Sequence, residues 1–214
     1  MFCYYTVKTK VQVKIAVGAC RFYASIAPVE NESEVKTYLK AVEEQLPGAT
    51  HYANAFRLGF GDEMLARSDD DGEPAGTAGT PLLAVLEKAE VTNVMLVGTR
   101  FFGGVKLGIG GLIRAYRACG EAGVKAATIV KEELKVKMKL LVPYGYLGAV
   151  EREIKALEGE VLQHSFGEHV SLNIILPLRR INGFDERIAG ISRGEVVIKA
   201  KGIFKPYQES LSAK

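Results

Sequence analysis

The chain has 214 residues, 28 Lys and Arg against 25 Asp and Glu, a formal net charge of +3, and 48% hydrophobic residues. That length holds one large domain or two small ones, and the composition is that of a folded soluble chain, which excludes disorder and collagen-like repeats. No apolar run reaches the ~18 residues of a membrane span, Lys8, Lys10 and Lys14 interrupt any signal-peptide core, and three cysteines (Cys3, Cys20, Cys119) suit a reducing cytoplasm without suggesting a metal.

The charge is uneven. Residues 1–130 carry 14 basic and 14 acidic side chains, whereas residues 131–214 carry 14 and 11, so the whole surplus lies in the C-terminal part. Such asymmetry points to two modules.

In chain order, Val11, Val13, Ile15 and Val17 alternate as in a strand, and residues 21–26 read as a second one. Asn31 with Glu34 predicts a capping box, opening a helix whose stripe is Val35, Tyr38, Leu39, Val42 and Leu46 and which stops at Pro47-Gly48. His51 to Leu58 is strand-like, and a turn at Gly59–Asp62 leads into 64–68. A polar loop from Asp69 to Gly79 follows, after which Thr80-Pro81 predicts an N-cap and a first helical residue for a helix to Ala89. Val94–Val97 suits a buried strand, and a glycine-rich loop precedes a helix expected from Leu112 to Ala127.

Leu134 to Leu140 alternates without a break, and Leu147, Val150, Ile154 and Leu157 have helical spacing. Strands at 161–166 and 170–176, a helix at 184–191 and a strand at 196–203 complete a βαββαβ order, the ferredoxin-like arrangement. The fold class is therefore α+β, with the domain boundary expected near Thr128–Glu133.

Four features carry chemistry. The first is Arg100 to Gly111, where Gly103, Gly104, Gly108, Gly110, Gly111 and Lys106 lie between a buried strand and a helix bearing Arg114 and Arg117. Glycines admit close approach to backbone N–H groups, and a helix N-terminus favours an anion. The spacing is neither a Walker loop nor a dinucleotide fingerprint, so tight loop packing with solvated arginines is the competing reading.

The second is the acidic stretch 62–73, with six acids against Arg67. Asp70, Asp71, Gly72 and Glu73, with Thr77 and Gly79 behind them, either line a ligand or cation site or act structurally by capping helices and pairing with Arg100 or Lys106. The third is a possible flank: His51 and Arg57 share one strand parity, and Arg21 precedes them.

The fourth is a lysine comb. Lys135, Lys137 and Lys139 share one face of the first C-terminal strand, and Lys199 and Lys201 share parity on the last, predicting a five-lysine patch on the helix-free face. That patch either follows a phosphate backbone or keeps the sheet solvated and unassociated. It lacks the paired aromatics of an RNA-recognition motif.

Asp70-Asp71-Gly72-Glu73-Pro74, Gly76-Thr77-Ala78-Gly79, Thr99 to Gly108 and Gly110 to Tyr116 closely resemble the IMPACT/YigZ family, as do Arg21-Phe22, Ala27-Pro28-Val29 and Thr50-His51. The resemblance implies an IMPACT-type domain over 1–130, a ferredoxin-like domain over 131–206 like the second domain of bacterial members, and a tail at 207–214. It further implies that the first domain is built like the second domain of a small-subunit ribosomal protein and domain IV of elongation factor G, and the second like domain V of that factor. Eukaryotic relatives are linked to translational control through an additional N-terminal protein-binding domain, for which this chain is too short. Asp69, Ala75, Thr80, Ile109 and Cys20 depart from the family pattern, and the loss of hydroxyls at 75 and 109 counts against hydroxyl-dependent chemistry.

The expected function is that of a non-enzymatic, cytoplasmic, RNA- or ribosome-associated protein linked to regulation of translation, with no cofactor, metal or membrane partner. The alternatives are an enzyme on a phosphorylated small molecule and a protein-interaction module.

Overall fold

The computed structural model describes residues 2–61 and 64–204. Asp62 and Glu63 of the acidic stretch and the tail expected at 207–214 lie outside the described residues. The molecule is α+β and divides into two compact units, one of residues 3–132 and one that begins at 133 and takes in Phe2.

The first unit is organised around β6 (Val94–Phe101), an apolar run because it is buried on both faces. Its Val94 and Leu96 join Phe22, Leu82, Leu86 and Tyr116 in one core, while Met95 and Val97 join Val35, Val42 and Phe56 in another. Around it the antiparallel sheet runs β2 (Val11–Val17), β3 (Cys20–Pro28), β6, β4 (His51–Leu58), β5 (Leu65–Asp69). Helix α1 (Glu32–Gln45) packs on β4 and β6 from one side, and α2 (Gly79–Lys88) and α3 (Gly108–Ala126) cover the other. Phe22 meets Tyr116 edge to face at 5.2 Å between centroids, and neither ring is exposed. Burying each such side chain is worth about 2–3 kcal/mol. A separate two-stranded sheet joins β1 (Cys3–Val7) to β7 (Ile129–Glu133).

Helix α1 begins on its capping box: Asn31 Oδ1 accepts the Glu34 N–H at 2.9 Å, and Glu34 Oε2 accepts the Glu30 N–H at 2.9 Å. The other starts differ from expectation. Helix α2 opens at Gly79 rather than after Thr80, its N-cap residue Ala78 makes no side-chain bond, and a carboxylate from the preceding loop takes that role. Helix α3 opens at Gly108, so Gly108, Gly110 and Gly111 form its first turn instead of a loop. The stretch near 128–133, where the domain boundary is expected, is strand β7, and the two units divide between 132 and 133.

The second unit has the order β8 (Lys135–Val142), α4 (Leu147–Ala156), β9 (Glu160–Ser165), β10 (Val170–Pro177), α5 (Phe184–Ser192), β11 (Val197–Phe204). Its sheet runs β11-β8-β10-β9, and every pairing is antiparallel. Val136, Met138, Leu140 and Val142 point inward to Val150, Ile154, Phe184 and Ile188, which sends the lysines between them to the other face.

The five-lysine patch is corrected here. A register shift between Ile198 and Ala200 puts Lys199 at the irregularity. Beyond it, Ala200 stands opposite Lys139 and Gly202 opposite Lys137, whereas Lys201 takes the position opposite the core residue Met138. One extra residue in a strand reverses its parity, so even spacing in the sequence no longer means one face. The Lys201 side chain lies outside what is described.

Candidate functional site

The acidic loop closes over the end of the first sheet, and its charges turn inward. The Asp70 carboxylate accepts three backbone N–H bonds, from Gly76 at 2.7 Å, Ala78 at 2.9 Å and Gly79 at 2.8 Å. It thus holds the loop and caps α2 from a distance. Partial burial raises the Asp70 carboxyl, but the three N–H bonds outweigh it and leave its pKa below the ordinary value. Gly79 is fixed by packing, since a Cβ there would fall 2.7 Å from the Asp69 carbonyl oxygen.

Glu73 is buried, and its carboxylate receives Arg100 Nη1 at 2.8 and 3.1 Å and the Tyr116 hydroxyl at 2.7 Å. The contact ties the loop, β6 and α3 into one polar knot inside an apolar shell. Burial and the Glu73 carboxylate push the Tyr116 phenol upward, so it remains a donor. Arg100 is 8% exposed and bound by Glu73, so of its two expected roles it takes pairing with the acidic loop, not a surface anion contact.

His51 and Asp71 complete the frame. The His51 Nδ1 donates to the Asp71 carbonyl at 2.7 Å, a carbonyl being only an acceptor, and Nε2 then faces Glu73 at 3.9 Å. Asp71 Oδ2 accepts the Tyr52 N–H at 2.6 Å. Gly72 adopts φ +79° beside the His51 ring, and the buried Thr77 hydroxyl donates to the Pro74 carbonyl at 2.6 Å. Arg57 lies at the far end of β4, where Nη1 bonds the Leu86 and Val91 carbonyls, so it supports the α2 connection and does not flank this site.

The glycine-rich segment behaves in the opposite way. Gly103 lies against the β2–β3 turn, where a Cβ would come within 1.9 Å of the Ala19 oxygen, so its role is close packing. Gly104 (φ +87°) and Gly108 (φ +67°) have open space at Cβ and serve the turn into α3. No side chain caps α3, whose N-cap residue is Leu107. Arg114 folds back over this first turn, its Nη1 lying 3.4 Å from where a Gly110 Cβ would stand. Gly111 sits one turn along, behind Leu107. Lys106, Arg114 and Arg117 are exposed, and among the described residues none of them forms an ion pair. Phe102, Val105 and Ile109 are exposed beside them at 45%, 65% and 65%.

Arg21 is exposed and lies over the Phe101 ring at 5.1 Å. In the second unit Lys135 pairs with Glu160 at 3.6 Å, while Lys139 is exposed. Tyr116 and Thr50, whose Oγ1 accepts the Phe102 N–H at 3.1 Å, are partners that sequence reasoning did not assign. The one available signal for Tyr116 was its place in the helical motif, which carries no information on the carboxylate across the core. Cys119 is buried, and burial pushes its thiol up to about 12, which removes it as a nucleophile. Among the described residues no helix is long and apolar enough to cross a membrane.

The Impact N-terminal domain matches residues 19–124, and a domain of unknown function (DUF1949) matches residues 140–195. The chain is 33% identical over 196 residues to the IMPACT family member YvyE of Bacillus subtilis, covering 92% of this chain and 90% of the relative. It is 29% identical over 181 residues to the IMPACT family member YigZ of Escherichia coli, covering 84% and 89%. The human Protein IMPACT is 40% identical over 91 residues, 41% of this chain and 28% of that protein. A solved structure described as a hypothetical protein superposes with a TM-score of 0.72 at 28% identity, covering 94% of this chain and 98% of that one. Both domain matches fall within the two units seen in the fold, and with the near full-length relatives they establish that the chain belongs to the IMPACT family.

Proposed function

We propose that this protein is a non-enzymatic RNA- or ribosome-associated factor linked to regulation of translation. The observation that carries the reading is the split fate of the charges. Asp70 and Glu73 are engaged by internal donors, whereas Lys106, Arg114 and Arg117 surround a helix start without a side-chain cap and form no ion pair among the described residues. A general base or cation ligand works best facing a cleft, whereas Asp70 is turned to three backbone N–H groups and Glu73 is buried against Arg100 and Tyr116. Exposed cations beside unbonded backbone N–H groups suit phosphates. The family resemblance, which implies units built like elongation factor G domains IV and V and a ribosomal protein, supports the same reading. The β8 row of Lys135, Lys137 and Lys139 adds a second basic surface.

The test is binding of a single-stranded RNA across a salt series. Replacing Lys106 and Arg114 by Ala lowers affinity and reduces the salt slope by about 0.7 per cation removed. RNA affinity indifferent to both substitutions refutes the reading. A protein partner captured through this surface after nuclease treatment would favour an interaction module, and a nucleotide-dependent rise in melting temperature would favour an enzyme.

A further inference from the structure

Helix α1 packs on β4 and β6, and the same face of the sheet is open along β2 and at the Cys20 end of β3, where Arg21 is exposed and Tyr23 half-buried, whereas Ser25 and Ala27 further along β3 are buried. Along β2, Gln12, Lys14 and Ala16 are exposed on that face, alternating with Val11, Val13 and Ile15, which pack into the core. The register sets Lys14 opposite Tyr23 and Ala16 opposite Arg21 on β3, and Arg21 in turn opposite Phe101 on β6.

Two aromatic rings therefore stand on adjacent strands of an open sheet face. Tyr23 and Phe101 are half-buried, 5.7 Å apart between centroids and inclined at 71°. Each carries a cation: Lys14 Nζ lies 5.9 Å from the Tyr23 centroid, and Arg21 Cζ lies 5.1 Å from that of Phe101. Lys10 repeats the pattern 5.5 Å from the Tyr38 ring of α1. From Lys8 to Val29 the chain has four basic residues and no acidic one. The exposed Phe102 follows Phe101 directly, and Gly103 packs the glycine segment against the turn between β2 and β3.

We infer that this face is a docking platform for single-stranded nucleic acid, with Tyr23 and Phe101 stacking bases and Lys10, Lys14 and Arg21 holding phosphates. The charge selects a polyanion, and the rings select one with unstacked bases. An exposed cation over a ring is weakly held, so phosphates can draw Lys14 and Arg21 outward while bases take the vacated ring faces. A duplex, with its bases stacked inside, offers the rings nothing. The inference rests on the nucleic-acid reading above and names a contact surface for it on the first unit.

The experiment uses the full chain, a fluorescent 12-nucleotide single-stranded RNA, and the same sequence as a duplex, titrated at several salt concentrations. Replacing Tyr23 and Phe101 by Leu should weaken single-strand binding about tenfold without changing the salt slope, and Lys14→Ala with Arg21→Ala should lower the slope by about 1.4. If the aromatic variant proves unstable, Lys14→Glu with Arg21→Glu, both on exposed side chains, carries the test, and loss of binding is expected. Binding that responds to Lys106 and Arg114 but not to these four residues overturns the platform and leaves the nucleic-acid reading standing. Equal affinity for the duplex, or a protein partner lost on the same substitutions without RNA, also overturns the platform. No RNA binding even at low salt overturns both.

Discussion

The acidic loop at 69–79 and the glycine-rich segment at 102–111 look alike as strings, each charged, rich in glycine and placed before a helix. Their fates differ. The acidic loop caps α2 through Asp70 and buries Glu73 between Arg100 and Tyr116, while the other segment leaves α3 uncapped and its cations in solvent. Charge in a loop thus indicates function only after its internal partners are counted.

The largest break in this comparison comes from Glu73. Glu73→Ala leaves Arg100 buried without its carboxylate, and removing one partner of a buried pair costs about 3–5 kcal/mol. Urea unfolding should show that loss, and a loss under about 1 kcal/mol would mean that the knot does not hold the loop. Next is Asp70→Ala, expected to cost about 1–2 kcal/mol, the range of lost helix caps. Because the folded Asp70 has a lowered pKa, its contribution is present above the ordinary carboxyl value and fades as pH falls through the folded one. The variant should accordingly show a flatter stability profile in acid, and an unchanged profile would contradict the capping role.

A smaller effect on stability, within about 0.5 kcal/mol, is expected for Lys106→Ala and Arg114→Ala, since exposed residues without partners contribute little. A substantial destabilisation there would erase the contrast between the two segments. The smallest concerns the second unit, where Arg179 and Arg180 hydrogen-bond Glu158 and hold its carboxyl down at about 2. Its contribution is complete above the ordinary Glu range and is lost as pH falls toward 2, which a carbon-13 titration of that carboxyl will register. Titration near the ordinary value would show that the fork does not persist in solution.

Much of the fold was legible because its signals are local. The Asn31–Glu34 box, the alternation in β8 and the apolar run in β6 each encode their element within a few residues. Three features were not. The cap of α2 comes from a residue nine positions before Gly79, the β11 register shift reverses parity without any sequence mark, and the start of α3 is masked by glycines that are poor helix formers. At the site, the motif residues were legible and Arg100 stood in two readings, anion binding and pairing with the acidic loop; the sequence alone does not choose between them because the Glu73 partner lies 27 positions away. Lys14 and Tyr23 drew no attention because their adjacency exists only across a strand pair.

The most direct test of the central claim is the salt dependence of affinity for one single-stranded RNA, compared between the native chain and the folded Lys106→Ala, Arg114→Ala double variant. The double variant is expected to bind more weakly, with a slope shallower by about 1.4 and an unchanged melting temperature. Identical affinity and slope in the two proteins would contradict it.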